Sequence, residues 1–77
     1  MSLNKIIDAI ASATESDSQH ITPSTRLDSL GIDSLKAINI LYDLEEEFDI
    51  EVPNEEIAEL TTVHDIEVAI NKLLEAK

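Results

Sequence analysis

The chain has 77 residues, the length of one small domain, and we expect that domain to cover residues 1–77. Its 17 acidic and 5 basic side chains give a net charge of −12, which disfavours nucleic-acid binding because phosphates must be neutralised by lysine and arginine. The absence of cysteine excludes disulfides and protein thiol chemistry, and an aromatic content of only 3% requires an aliphatic core.

The predicted elements begin with an amphipathic helix over residues 3–14, where apolar side chains recur every three or four positions. Similar spacing predicts a second helix over residues 34–48 and a third over residues 64–74. Thr62 is expected to cap the third helix, and Asn54 is expected to cap a short acidic helix before it that includes Leu60. The pattern predicts an all-α fold, a small antiparallel bundle of three main helices and one short helix.

The connection after the first helix, residues 15–32, is long and has no regular apolar spacing. Loops of this length are uncommon in compact domains unless they are functional or disordered. Ile21, Leu27 and Leu30 can pin this segment to the bundle, and Pro23 stiffens it. We therefore expect a long ordered crossover that delivers its last residues to a fixed place.

The tripeptide Asp-Ser-Leu occurs twice, at residues 28–30 and 33–35, on either side of Gly31, the only glycine. Gly31 can adopt backbone angles closed to other residues and turn the chain into the second helix. Asp33 is the expected N-cap, which places Ser34 in the first helical turn. There the unpaired N–H groups and the helix dipole stabilise an anion such as a phosphate ester. No helix is predicted to begin directly after the first copy, so only the serine of the second copy is a candidate modification site.

The outer face of the second helix carries two apolar side chains that the helical period places away from the core. They are Leu35 and Tyr42, which share that side with Asn39 and Glu46 and lie near Asp43. An apolar centre with a charged edge is typical of a small protein-docking surface.

The acidic residues are unevenly distributed along the chain. No lysine or arginine occurs between residues 37 and 71, where eleven of the 17 acidic residues lie. Such a surface attracts a basic protein partner at long range. A plain solvated acidic surface is the alternative interpretation.

Residues 27–53 resemble the acyl carrier proteins of fatty acid and polyketide synthesis, through the stretch LDSLGIDSLKAINILYDLEEEFDIEVP. The matching features are Leu-Gly-x-Asp-Ser-Leu at 30–35, Leu-Glu-Glu-Glu-Phe at 44–48, a proline followed by a short acidic helix, and Thr-Thr-Val at 61–63. These features occur in order and cover essentially the whole chain.

The resemblance implies that a phosphopantetheinyl transferase attaches 4′-phosphopantetheine from coenzyme A to Ser34, flanked by Asp33 and Leu35. The arm would supply the thiol that the chain lacks and would hold acyl groups as thioesters. The chain would then be a carrier and not an enzyme, and its isolated His20 and His64 form no catalytic relay. We further expect a cytoplasmic monomer with no metal site and no membrane span.

The resemblance also implies a partner surface for acyl-synthesising or acyl-transferring enzymes with basic docking surfaces. Asp33, Leu35, Glu45 and Glu46 match family positions that meet basic partners, and Tyr42 matches an outward apolar contact.

Two positions of the expected partner surface depart from the fatty-acid members of the family, which usually carry acids there. These two positions are Lys36 and Asn39. Asp43 is a further residue of the expected partner surface. Because like charges across an interface reduce affinity and steering, this departure favours a carrier for a dedicated pathway over the general fatty-acid carrier.

Three alternatives stay open from the sequence. A free-standing aminoacyl or D-alanyl carrier would have a similar signature around the serine. From another class, an unmodified acidic adaptor would use only the outer face of the second helix. A calcium-binding protein of the EF-hand type would need a glycine within an acidic loop, and Gly31 is the only glycine.

Overall fold

The computed structural model describes residues 2–76. Four α-helices follow one another in the chain: α1 (Ser2–Thr14), α2 (Ser34–Phe48), α3 (Asn54–Ile57) and α4 (Val63–Glu75). The helix α1 packs against both α2 and α4, and α3 packs against α2. The predicted helical bundle of three main helices and one short helix is confirmed, with α4 one residue longer at each end than predicted.

The core is aliphatic, as the composition predicts. Its fully buried side chains come from all three long helices, and no buried residue among those described is polar or charged. The largest are Ile6, Ile10, Ile40, Leu41, Leu44, Val63, Ile66 and Ile70. The predicted helical periods therefore assign the core faces correctly.

The crossover between α1 and α2 is ordered by apolar anchors and contains two short 3₁₀ turns, Ser18–His20 and Asp28–Leu30. Ile21 and Leu27 are buried at 4% and 5% exposure, which confirms their predicted anchoring role. Leu30 is half-buried against the same core. The sequence pattern did not predict either 3₁₀ turn, because a single turn is too short to show a period.

Backbone hydrogen bonds join the crossover, over residues 23–27, to the end of the α3–α4 connection and the first residues of α4, over residues 61–64. The N–H of Leu27 donates to the carbonyl of Thr61 at 2.9 Å, and the N–H of Val63 donates to that of Thr25 at 3.1 Å. The N–H of His64 donates to the carbonyl of Pro23 at 2.8 Å. We call this junction the crossover seam.

The N-terminus of α4 is closed by a reciprocal capping box. The Thr62 hydroxyl accepts from the N–H of Asp65 at 3.2 Å, and the Asp65 carboxylate accepts from the N–H of Thr62 at 3.1 Å. Thr61 donates to the same carboxylate from its hydroxyl at 2.6 Å and from its N–H at 3.0 Å. The hydroxyl bond and then the backbone bond from Thr61 lower the pKa of Asp65. The predicted cap is confirmed.

The predicted cap of α3 is wrong. Asn54 is the first residue of the helix and Pro53 is its N-cap, with ψ of 143° and no side-chain capping bond. A proline disfavours helical geometry only in the residue before it, so the residue after it is free to begin the helix. The helix also ends at Ile57 and therefore excludes Leu60, which the sequence pattern places within it.

Candidate functional site

The turn into α2 is built as the sequence predicts. Gly31 ends the 3₁₀ turn in the left-handed region, with φ of 76°. Asp33 is extended, and its carboxylate accepts a hydrogen bond from the N–H of Lys36 at 2.8 Å, which is an N-cap contact. Ser34 is therefore the first residue of α2, and its side chain is exposed.

The two serines of the repeated tripeptide have different hydrogen bonding. The Ser29 hydroxyl donates to the carbonyl of Arg26 at 2.7 Å, within the 3₁₀ turn. The Ser34 hydroxyl has no hydrogen-bond partner among residues 2–76. The second serine thus presents a free hydroxyl at the positive end of a 15-residue helix, where a phosphate ester is stabilised.

A cavity of about 200 Å³ lies beside Ser34, between the crossover, α2 and the α3 region. The polar residues Arg26, Asp28 and Asn54 contribute to its lining and are exposed, so they form its rim. Its apolar lining is contributed by Leu27, Ile32, Ala37, Ile38, Ile57 and Leu60. An arm attached at Ser34 therefore has an apolar space next to its point of attachment.

The outer face of α2 is exposed as predicted. Leu35 is 68% exposed and Tyr42 is 53% exposed, which is high for large apolar side chains. The polar residues expected around them are also exposed: Asp33, Lys36, Asn39, Asp43 and Glu46. We call the face formed by these seven residues the α2 outer face.

Glu45 differs from the other acids expected to meet a partner. It is half-buried, and its carboxylate accepts a hydrogen bond from the N–H of Val52 at 2.8 Å. The backbone carbonyl of the same residue accepts from the N–H of Ile50 at 3.0 Å. Glu45 therefore holds the α2–α3 connection against the end of α2, a role that no local sequence pattern indicates.

Another acid of α2 is neutralised by α1. Lys5 forms an ion pair with Glu47 at 2.8 Å, and its Nζ lies 5.8 Å from the centre of the Phe48 ring. The hydrogen bond from Lys5 lowers the pKa of Glu47. No sequence pattern indicates this pair, because its partners are 42 positions apart.

The residues around Ser34 fit a phosphate-linked arm, because they provide a free exposed hydroxyl, a helix N-terminus and an adjacent apolar cavity. Within the described part of the chain, no three histidine, aspartate or glutamate side chains are grouped to hold a metal ion. No helix between residues 2 and 76 has the length and hydropathy needed to cross a membrane.

Comparison with known proteins gives consistent matches. A family profile described as a phosphopantetheine attachment site matches residues 4–70. The chain is 43% identical over 63 residues to an acyl carrier protein of Syntrophobacter fumaroxidans, covering 80% of this chain and 78% of that protein. It is 40% identical over 67 residues to an acyl carrier protein of Clostridium acetobutylicum, covering 86% and 87% of the two chains.

A solved structure shows the same fold. The crystal structure of an acyl carrier protein from Thermotoga maritima matches with a TM-score of 0.79 and 25% identity, over 96% of this chain and 88% of that one. The helix order, the site geometry and the relatives agree with the resemblance found in the sequence. The chain therefore belongs to the acyl carrier protein family, whose defining feature is a phosphopantetheine attachment site.

Proposed function

We propose that Ser34 is the attachment residue for 4′-phosphopantetheine and that the chain carries acyl groups as thioesters for fatty acid synthesis or a specialised lipid or polyketide pathway. The observation that carries this proposal is the free, exposed hydroxyl of Ser34 at the first position of α2. The attached group supplies the thiol, which the chain lacks. In this proposal the chain is a carrier and its partners perform the catalysis.

The attachment step uses the Ser34 oxygen as the nucleophile. Its oxygen forms a bond to the phosphorus of coenzyme A that bears pantetheine, the pyrophosphate P–O bond breaks, and 3′,5′-ADP leaves. The hydroxyl proton passes to a base of the transferase. On this chain, the N-terminus of α2 stabilises the resulting phosphate, and Asp33 fixes the position of the first turn.

The α2 outer face is the proposed docking surface for the transferase and for acyl-processing enzymes. Leu35 and Tyr42 form its apolar centre, and Asp43 and Glu46 form an acidic edge for basic partners. Glu45 contributes less to binding, because its carboxylate is already bonded to the chain's own backbone.

The exposed side chains of Lys36 and Asn39 support a dedicated pathway. A partner evolved for an acidic surface would meet a positive and a neutral side chain there, at a cost in steering. Acylation by a housekeeping acyl carrier synthetase should therefore rise in the double variant Lys36→Asp, Asn39→Glu. An unchanged rate would count against the dedicated pathway while leaving the carrier role in place.

The attachment residue is tested by intact-mass spectrometry after incubation with coenzyme A and a broad-specificity phosphopantetheinyl transferase. We expect the wild-type chain to gain the mass of one phosphopantetheine. Ser34→Ala should abolish the gain completely, whereas the matched control Ser29→Ala should retain it. A gain that survives Ser34→Ala would overturn the assignment, and an unmodified wild-type chain would favour the acidic adaptor.

A further inference from the structure

Arg26 lies at the rim of the cavity beside Ser34 and is the only basic residue among its lining residues within the described range. It is also the only arginine in the chain. Its backbone belongs to the crossover seam, through an antiparallel bridge to Thr62. The backbone contacts of the seam therefore set the position from which the Arg26 side chain extends.

The guanidinium group of Arg26 is oriented by Asp28. Its Nε and Nη2 atoms each donate to one carboxylate oxygen of Asp28 at 3.1 Å, in the planar two-bond arrangement that arginine favours. The hydrogen bond from Arg26 lowers the pKa of Asp28. Of the five N–H donors of a guanidinium, this pair uses two, and the others have no protein acceptor among residues 2–76.

The cavity has a polar rim and an apolar interior, so it would orient an amphiphilic chain with its oxygen-bearing end near Arg26. Because Asp28 already neutralises the arginine, a neutral oxygen acceptor is favoured over a carboxylate. An engineered apolar cavity of about 150 Å³ holds benzene, so one of about 200 Å³ holds roughly eight non-hydrogen atoms. The space therefore suits a short acyl chain.

We propose that Arg26 determines cargo specificity by donating a hydrogen bond to a hydroxyl or keto oxygen close to the thioester of a short acyl chain. This inference rests on the proposed attachment at Ser34. It assigns 3-hydroxyacyl and 3-oxoacyl groups as the favoured cargo over saturated chains of the same length. An amide carbonyl of the pantetheine arm presents the same acceptor chemistry, so the experiment must distinguish the arm from the cargo.

The test compares holo protein loaded with butyryl or 3-hydroxybutyryl groups, which differ by one hydroxyl. Cleavage of each thioester by hydroxylamine is followed by intact mass, and each rate is divided by the rate for the same acyl group on free pantetheine. In the wild type we expect the 3-hydroxybutyryl group to be protected several-fold more than butyryl. Arg26→Met keeps an apolar stem similar to that of arginine but removes the N–H donors. It should abolish this difference in protection without changing the rate for butyryl.

An equal protection ratio in the wild type and Arg26→Met would overturn the inference. An equal change for both cargoes would also overturn it, because the contact would then be to the arm. Failure to load any cargo despite phosphopantetheine attachment would overturn the inference alone, whereas failure of attachment at Ser34 would overturn the proposed function as well.

A second measurement does not depend on a stable Arg26 variant. The single arginine gives one assignable Nε–H resonance in a nitrogen-15 spectrum. This resonance should shift on loading with 3-hydroxybutyryl and stay in place on loading with butyryl. Equal shifts for the two cargoes would contradict a role in cargo selection.

Discussion

The two Asp-Ser-Leu segments have the same three side chains and opposite structural roles. In the first, Asp28 pairs with Arg26, Ser29 bonds to the backbone, and Leu30 packs against the core. The whole segment is a single 3₁₀ turn, Asp28–Leu30, that ends at the glycine.

In the second segment, the same side chains face outward at the start of α2. Asp33 caps the helix, Ser34 has a free hydroxyl and Leu35 is 68% exposed. The difference arises from the backbone that each copy leads into, a left-handed glycine in one case and a 15-residue helix in the other. The tripeptide alone therefore does not make a serine a candidate site; the helix that follows the second copy does.

The largest difference in stability between the two segments is expected when their leucines, Leu30 and Leu35, are replaced. Leu30→Ala removes a half-buried side chain from the core and should lower the free energy of unfolding by about 2 kcal/mol. Leu35→Ala should change it by less than about 0.5 kcal/mol, because the side chain is exposed. Urea denaturation measures both values.

The same two variants should reverse their order in the modification assay. Leu35→Ala should slow phosphopantetheine attachment several-fold, because it removes the apolar centre of the α2 outer face. Folded Leu30→Ala should be modified at nearly the wild-type rate. The reverse order would show that docking does not use the α2 outer face.

The glycine that separates the two copies should have the next largest effect. Gly31 has φ of 76°, and a left-handed backbone costs other residues about 1–2 kcal/mol. Gly31→Ala should therefore lower stability by about that amount in thermal or urea unfolding. Gly31→Asn is the matched control and should cost less, since asparagine tolerates this conformation. Equal losses would mean that the cost is not one of backbone geometry.

Replacing the two aspartates, Asp28 and Asp33, should produce a smaller difference in stability. Asp33→Ala removes the cap of α2 and should destabilise the protein by about 1 kcal/mol. Asp28→Ala removes one partner of an exposed ion pair, and such pairs contribute little to folding, so its unfolding curve should match that of the wild type. A larger loss in Asp28→Ala would show that the first copy also has a structural role through its charge.

The cap of α4 differs from the cap of α2 in that the stability it contributes should depend on pH. Since hydrogen bonds from Thr61 lower the pKa of Asp65, its contribution is complete above the ordinary value of 3.8 and is lost as the pH falls through the lower folded value. The stability difference between wild type and Asp65→Asn should therefore be constant near neutral pH and shrink in acid. Urea melts at a series of pH values measure it, and a difference that grew in acid would have the wrong sign.

The features that sequence analysis predicted correctly are those encoded by nearby residues. The period of α2 places Leu35 and Tyr42 outside the core, and the caps Asp33 and Thr62 lie within three residues of the N–H groups they accept from. The left-handed glycine follows from its chemistry alone. The exposed serine at the helix start needed no knowledge of the rest of the fold.

The features that it missed depend on contacts between distant segments. The crossover seam, the pair between Lys5 and Glu47 and the position of Arg26 at the cavity exist only when the helices are assembled. The family resemblance assigns Glu45 to partner binding, yet its carboxylate lies against the α2–α3 connection, because that connection turns back over the helix end. The helical period places Glu46, and not Glu45, beside Leu35 and Tyr42, but it does not show which backbone group the Glu45 carboxylate binds.

The crossover seam also determines how the cavity beside Ser34 can enlarge. Two of its sides, the crossover and the end of the α3–α4 connection, are joined by backbone hydrogen bonds, which restrain them relative to each other. The opposite side includes α3, a helix of four residues without a side-chain cap. We therefore expect an acyl chain that is too long for this cavity to displace α3, while the crossover seam keeps its position.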